Sequence, residues 1–149
     1  MGNTPEGFAT LTPAIFSTDA RAVIEGYKEA LGAEMPCEAM VCAQTDKIAH
    51  AILKIGEATM FIADECPELG MNVTGHQHFY LYVENADNAF NKAKNAGWDV
   101  ASKPEDMFWG DRIGTLKDKN GNTWKLAQKI RDVSPEEMAE AMKKMSEAV

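Results

Sequence analysis

The sequence is short of several things, and each shortage removes a class of protein. No apolar run approaches the ~20 residues of a membrane-spanning helix. No basic segment followed by an apolar one opens the chain, so the expectation is a cytoplasmic protein with no membrane partner. Cations are outnumbered: 15 Lys and Arg stand against 23 Asp and Glu, a formal charge of −8. That balance argues against a nucleic-acid partner, because phosphate binding wants cations in excess. Cysteine is sparse and odd in number, with Cys37, Cys42 and Cys66 in no C-x-x-C spacing. A disulfide framework and a structural zinc site are therefore not expected, and reduced thiols are the simpler reading. G-x-S-x-G, a phosphate-binding loop and G-x-G-x-x-G after a strand are all missing, so no nucleophile or nucleotide signature stands out. Histidine is limited to His50, His76 and His78.

What remains is an ordinary globular composition, 45% hydrophobic and 26% charged over 149 residues. That length suits one domain, or two half-domains sharing a core. Thr10 to Phe16 reads as a short strand. Ser17-Thr18-Asp19 caps a helix on which Val23, Ile24, Tyr27, Ala30 and Leu31 recur at helical spacing, and Gly32 ends it. Pro36 to Gln44 is a plausible strand, and Ile48 to Ile55 with Ala58 to Ala63 a pair joined at Gly56-Glu57. Asp64 to Gly75 carries breakers and little periodicity, as a linker does.

The order then repeats. His78 to Val83 alternates as a strand, Asn85 to Ala96 is a helix ended by Gly97, and Asp99 to Ser102 is a further strand. Arg112 to Lys117 and Thr123 to Gln128 flank Asn120-Gly121, a strong hairpin signal. Two copies of strand, helix and three strands imply half-domains that complete one another. Ser134-Pro135-Glu136-Glu137 then opens a helix with a capping box. Its Met138, Met142 and Met145 form an apolar stripe, to be buried on the domain or on a second subunit.

Met107 to Gln128 is the densest stretch for function. Phe108, Trp109 and Gly110 precede Asp111-Arg112, a pair able to pin a loop, and the glycine lets backbone approach closely, a guest included. Arg112 at a cleft rim would instead hold an anionic group. His78, Tyr80 and Tyr82 share one strand face, half polar and half aromatic, which fits a ligand-pocket lining and equally a core face with satisfied hydroxyls. His76-x-His78 could ligate a metal with Glu57, Asp64 or Glu65 in support.

The doubled order resembles the vicinal oxygen chelate superfamily, which holds glyoxalase I, extradiol dioxygenases, fosfomycin-resistance enzymes and bleomycin-binding proteins. Tyr27-Lys-Glu-Ala-Leu-Gly-Ala33, His50-Ala-Ile-Leu-Lys-Ile-Gly56, Phe108-Trp-Gly-Asp-Arg112 and Ser134-Pro-Glu-Glu137 look like its demethylubiquinone-methyltransferase-like branch. One departure is Asp118-Lys119 where that branch has Asp-Pro, which loosens the second hairpin loop. The resemblance implies an α+β fold: two βαβββ modules, about 8–64 and 76–129, form curved mixed sheets around a cleft, with a C-terminal helix over about 134–148. All of it makes one domain, 1–149. Metal-using members place two His and two Glu on inward strand faces, and those positions fall near Thr12, Phe61, His78 and Lys125. Only His78 is a ligand type, and a lysine ammonium repels a cation. The reading is thus a small-molecule-binding protein with no metal and no cofactor, its ligand aromatic or amphipathic and met by His78, Tyr80, Trp109, Arg112, Phe61 and Lys125. A homodimer is expected from the family habit and the Met stripe. Two rivals stay open: a metal-dependent lyase, isomerase or dioxygenase using His76 and His78, and an oligomeric scaffold with a vestigial cleft. No catalytic residue is assigned.

Overall fold

In a computed structural model, residues 3–73 and 76–148 are described, and the chain divides into two compact units, up to His76 and from Gln77 on. In the first, β1 (Ala14–Ser17), α1 (Ala20–Leu31), β2 (Met40–Val41), β3 (Ile48–Ile55) and β4 (Ala58–Asp64) follow in order. The second repeats the plan with β5 (His78–Tyr82), α2 (Ala86–Asn95), β6 (Asp99–Asp106), β7 (Asp111–Lys117) and β8 (Thr123–Lys129), and ends in α3 (Pro135–Ala148). The sheets run β1-β4-β3-β2 and β5-β8-β7-β6, each with its first strand parallel to its last and the rest antiparallel. The expected α+β architecture of two βαβββ modules is what the chain adopts.

Local chemistry explains the elements. Asp19 accepts from the Ala22 N–H at 3.2 Å and starts α1, and Gly32 closes it in the left-handed conformation at φ 68. Val23, Ile24 and Tyr27 bury that helix on β3 and β4, each aliphatic contributing ~1.5–3 kcal/mol. Asp64 ties the first unit together: Oδ1 accepts from Ala20 N at 2.8 Å and Oδ2 from Ile48 N at 2.7 Å. In the second unit Asn85 caps α2, and Gln128 Oε1 accepts from Ala86 N at 2.9 Å. Phe90 of α2 seats directly on Gly114 of β7, where an added Cβ would come within 2.7 Å of its ring.

Several sequence expectations need correction. Pro36 to Gln44 yields only the two-residue edge strand β2, because within that stretch only Met40 and Val41 pair with β3. β1 begins at Ala14, since β4 starts to pair there. β6 is longer than expected, running through Pro104 at a sheet edge with irregular register. The β7–β8 loop is not loose. Asp118 Oδ1 accepts from the backbone of Asn120 at 2.8 Å and Asn122 at 2.9 Å, and Oδ2 takes the Trp124 indole N–H at 2.8 Å. The linker stretch carries a 3-10 turn at Pro67–Leu69 and a Cys66–Met71 bridge; its Thr74 and Gly75 lie outside the described residues.

The capping box of α3 forms as expected: Ser134 Oγ accepts from Glu137 N at 3.1 Å, and Ser134 N donates to Glu137 Oε1 at 3.5 Å. Among the described residues the helix makes no close approach to another helix or strand of its unit, and Met142 and Met145 are 51% exposed. Among the described residues no helix is long and apolar enough to cross a membrane.

Candidate functional site

The turn from Met107 to Gly110 positions the second unit's most unusual cluster. Met107 N donates to Asp111 O at 2.7 Å and Gly110 N to Met107 O at 3.1 Å, closing the turn onto β7. Gly110 sits at φ +99, and a Cβ there would overlap the carbonyl oxygen of Arg131. Its own carbonyl accepts from Ile130 N at 2.8 Å and Arg131 N at 3.2 Å. The close approach that glycine allows is therefore to the chain's own backbone, and not to a guest.

From this anchor Asp111 and Arg112 diverge, because successive strand residues point to opposite faces. Arg112 does not pair with Asp111. Its guanidinium grips Asp87 of α2 in bidentate fashion at 2.8 and 3.0 Å and takes Asp106 at 2.8 Å. This holds the Asp87 carboxyl below the usual range and pushes Arg112 up, chiefly through the hydrogen bonds to Asp87. Arg112 thus clamps helix to sheet on the helix side, with its charge already matched.

Asp111 points the other way, towards Tyr80 and Tyr82 on β5. It is only 4% exposed, and its Oδ2 accepts from both phenols, from Tyr82 Oη at 2.9 Å and from Tyr80 Oη in a shorter bond. The Trp109 indole N–H donates to Tyr80 Oη at 3.1 Å. Trp109 itself is 36% exposed and meets Phe108 edge to face at 4.9 Å, so it stands at the rim of the sheet and not in its core. Burial, helped by the bond to Asp111, pushes the Tyr80 phenol up to about 12. Tyr82 is raised too, first by its bond to Asp111.

His78, Tyr80 and Tyr82 do share the exposed face of β5, opposite Phe79 and Leu81, which are only half exposed. In register beside them stand Thr123 and Lys125 of β8, with Lys125 opposite Tyr80. Lys125 is exposed and, among the described residues, makes no ion pair. Phe61 belongs to the first unit, where it packs half-buried beside His50 at 4.7 Å and Phe8 at 5.6 Å. Of the sequence-predicted residues, His78, Tyr80, Trp109 and Lys125 thus fall on one unit's sheet. Sequence reasoning put Tyr82 on the candidate pocket face but not among the ligand contacts, and took Asp111 for a structural partner of Arg112. The two-residue alternation from Tyr80 was a signal for Tyr82; nothing in the sequence pointed from β5 to Asp111.

A metal centre does not fit these residues. Thr12, Phe61, His78 and Lys125 offer one donor of the usual kind, and Thr12 spends its hydroxyl on Ala9 O at 3.2 Å. Asp64, a possible supporting ligand for His76 and His78, has both oxygens committed to backbone N–H groups. Among the described residues no group of three or more His, Cys, Asp or Glu is gathered for an ion. The first unit also has a groove of about 680 Å³ between α1 and the chain around Met35 to Val41, but no predicted site residue lines it.

Residues 9–126 match the Glyoxalase/Bleomycin resistance protein/Dioxygenase superfamily. The chain belongs to that superfamily. Within reach of it by sequence is the uncharacterized protein Rv0887c of Mycobacterium tuberculosis, 33% identical over 145 residues, covering 89% of this chain and 81% of that one. A Mycobacterium bovis counterpart, the uncharacterized protein Mb0911c, is likewise 33% identical, over 91% of its own length. Among solved structures, TioX from Micromonospora sp. ML1 superposes with a TM-score of 0.68 at 18% identity, over 82% of this chain and 99% of TioX. Protein PA1353 from Pseudomonas aeruginosa gives 0.63 at 21% identity, over 83% and 99%. These likenesses establish the superfamily fold and leave the chemistry to this chain's own residues.

Proposed function

We propose that this superfamily member binds a small, flat aromatic or amphipathic molecule, without metal, on the sheet face that carries His78, Tyr80, Trp109 and Lys125. The observation behind the reading is the set of part-exposed rings at the rim of β5 and β7. Trp109 is fixed by its indole N–H on Tyr80 at 3.1 Å, and Tyr80 lies 5.3 Å from Tyr82 ring to ring. Rings held in place by hydrogen bonds lose little entropy on receiving a guest, and stacking adds ~0.5–1.5 kcal/mol beyond area burial. His78 and Lys125 supply polar contacts beside them. Phe61, with Phe8 and His50, offers the same class of ligand an aromatic surface in the first unit. Arg112, spent on Asp87 and Asp106, is left out of the ligand set.

The metal-free part of the reading rests on the donor set at Thr12, Phe61, His78 and Lys125. The Phe108-Trp-Gly-Asp-Arg112 and Ser134-Pro-Glu-Glu137 blocks support placement in the demethylubiquinone-methyltransferase-like branch. We further assign the chain to a homodimer, on the half-exposed Met142 and Met145 of an α3 that its own unit leaves uncovered.

The test is one mutant read two ways. Trp109→Ala is expected to stay folded and to lose the fluorescence-detected binding of aromatic library hits. A mutant that unfolds, or that binds those hits as the parent does, refutes the reading. Elemental analysis finding near-stoichiometric zinc, nickel, iron or manganese that disappears in His78→Ala would overturn the metal-free part. Light scattering at micromolar concentration is expected to give twice the 16.4 kDa chain mass, and a monomer mass would refute the dimer.

A further inference from the structure

We propose that the corner formed by Tyr80, Tyr82 and Trp109 around Asp111 recognises an organic ammonium group, primary or quaternary, on the ligand. The inference rests on the reading of this face as a ligand site and gives that ligand a charge.

The first ground is Asp111 itself. A carboxylate this deeply buried ordinarily has a cation beside it. Asp111 is 4% exposed, yet among the described residues no guanidinium or ammonium lies within 4 Å of it. Arg112, the adjacent cation in sequence, is turned to the helix side and matched by two other carboxylates. Lys129 stands opposite Asp111 in register and feels its charge and that of Tyr82 through space, but its ammonium is bridged to Asp132 at 2.6 Å, which offsets its charge at that end. Lys125 lies opposite Tyr80 on the same face and would repel a cation seated over that end, which places the ammonium towards Tyr82 and Asp111.

The second ground is hydrogen-bond polarity. Both phenols donate their only proton to Asp111 Oδ2, so their oxygens face a guest as acceptors alone. The raised phenol of Tyr80 holds that proton up to about 12, so the polarity persists across the physiological range. The Trp109 N–H is spent on Tyr80, so the indole offers its ring face. Asp111 Oδ1 makes no hydrogen bond among the described residues. Ring faces, phenol lone pairs and a free carboxylate oxygen all attract positive charge, and aromatic side chains of this kind hold quaternary ammonium ions. An anionic group would meet repulsion from every one of them.

Three benzyl probes decide the matter: benzyltrimethylammonium, its neutral isostere neopentylbenzene, and the smaller phenylacetate as the anion. The readout is the Trp109 indole N–H resonance, assigned with Trp109→Phe. The cation is expected to shift it and to bind about tenfold or more tightly than either of the others. Asp111→Asn should abolish that preference. Should that variant fail to fold, Tyr82→Ala at a largely exposed position should weaken the cation more than the neutral probe and shrink the preference between them severalfold, and an equal loss for both would overturn the proposal. If the three probes bind alike, or if the anion binds best, the ammonium proposal falls while the flat-ligand reading stands. If the cation leaves Trp109 unmoved, the proposal is overturned, and the flat-ligand reading falls with it only when library aromatics also fail.

Discussion

Gly110→Ala separates two reasons for a glycine beside an exposed tryptophan. At φ +99 an alanine leaves its comfortable backbone region, which costs about 1–3 kcal/mol. The new Cβ would also overlap Arg131 O and lie 3.2 Å from Val133 Cγ2. Relief requires the chain after β8 to withdraw, straining the bonds from Ile130 N at 2.8 Å and Arg131 N at 3.2 Å to Gly110 O. Each such bond is worth about 0.5–1.5 kcal/mol net. Some of the strain relaxes, so the expected loss is about 2–4 kcal/mol. With a urea slope of about 1–3 kcal/mol per molar, the unfolding midpoint should fall by about 1–2 M at constant slope. Equilibrium unfolding followed by far-ultraviolet circular dichroism reads this directly. An alanine variant within about 0.5 kcal/mol of the parent would refute the tight packing on Arg131. If such a stable variant also lost aromatic ligands, the glycine would be making room for a guest after all.

Asp118→Ala removes the acceptor of two backbone N–H groups and the Trp124 indole, and should cost about 3–5 kcal/mol in urea unfolding; a loss below about 1 kcal/mol would show the loop to be held otherwise. Absorbance at 295 nm should show Tyr80 ionising at about 12, above the ordinary 10, and Asp111→Asn should bring that step down. Because the folded phenol is the weaker acid, its share of stability is complete below pH 10 and is lost as pH rises from there through about 12. A Tyr80 step at its ordinary position in the folded parent would refute the phenol–carboxylate bond. Arg112→Gln should lower stability while leaving benzyltrimethylammonium binding intact, since the guanidinium serves Asp87 and Asp106; unchanged stability with lost binding would return Arg112 to the ligand. Asp87, its carboxyl depressed by that guanidinium, should withdraw its share of stability as pH falls through its lowered value, a loss absent from the Arg112→Gln variant.

Local grammar carried much of the fold. Asp19 and Gly32 bracket α1, Ser134 and Glu137 open α3, and strict alternation puts His78, Tyr80 and Tyr82 on one face, all because caps and pleats depend on neighbours a few residues away. The repeated order of elements sufficed for the superfamily. Pairing partners at long range were another matter. Pro36 to Gln44 has strand composition, yet only Met40 and Val41 pair, because the extent of an edge strand is set by what its neighbour offers. The candidate site shows the same divide. Asp111 and Arg112 are adjacent in sequence and opposite in charge, and sequence alone favoured their union. The pleat sends them to opposite faces, where Asp87, 25 residues back, claims the guanidinium, and Tyr80 and Tyr82, about 30 residues back, claim the carboxylate. Which residues carry charge was written in the chain; which groups each charge meets was decided only when β5, β7 and α2 came together, because electrostatics depends on distance through space and not along the backbone.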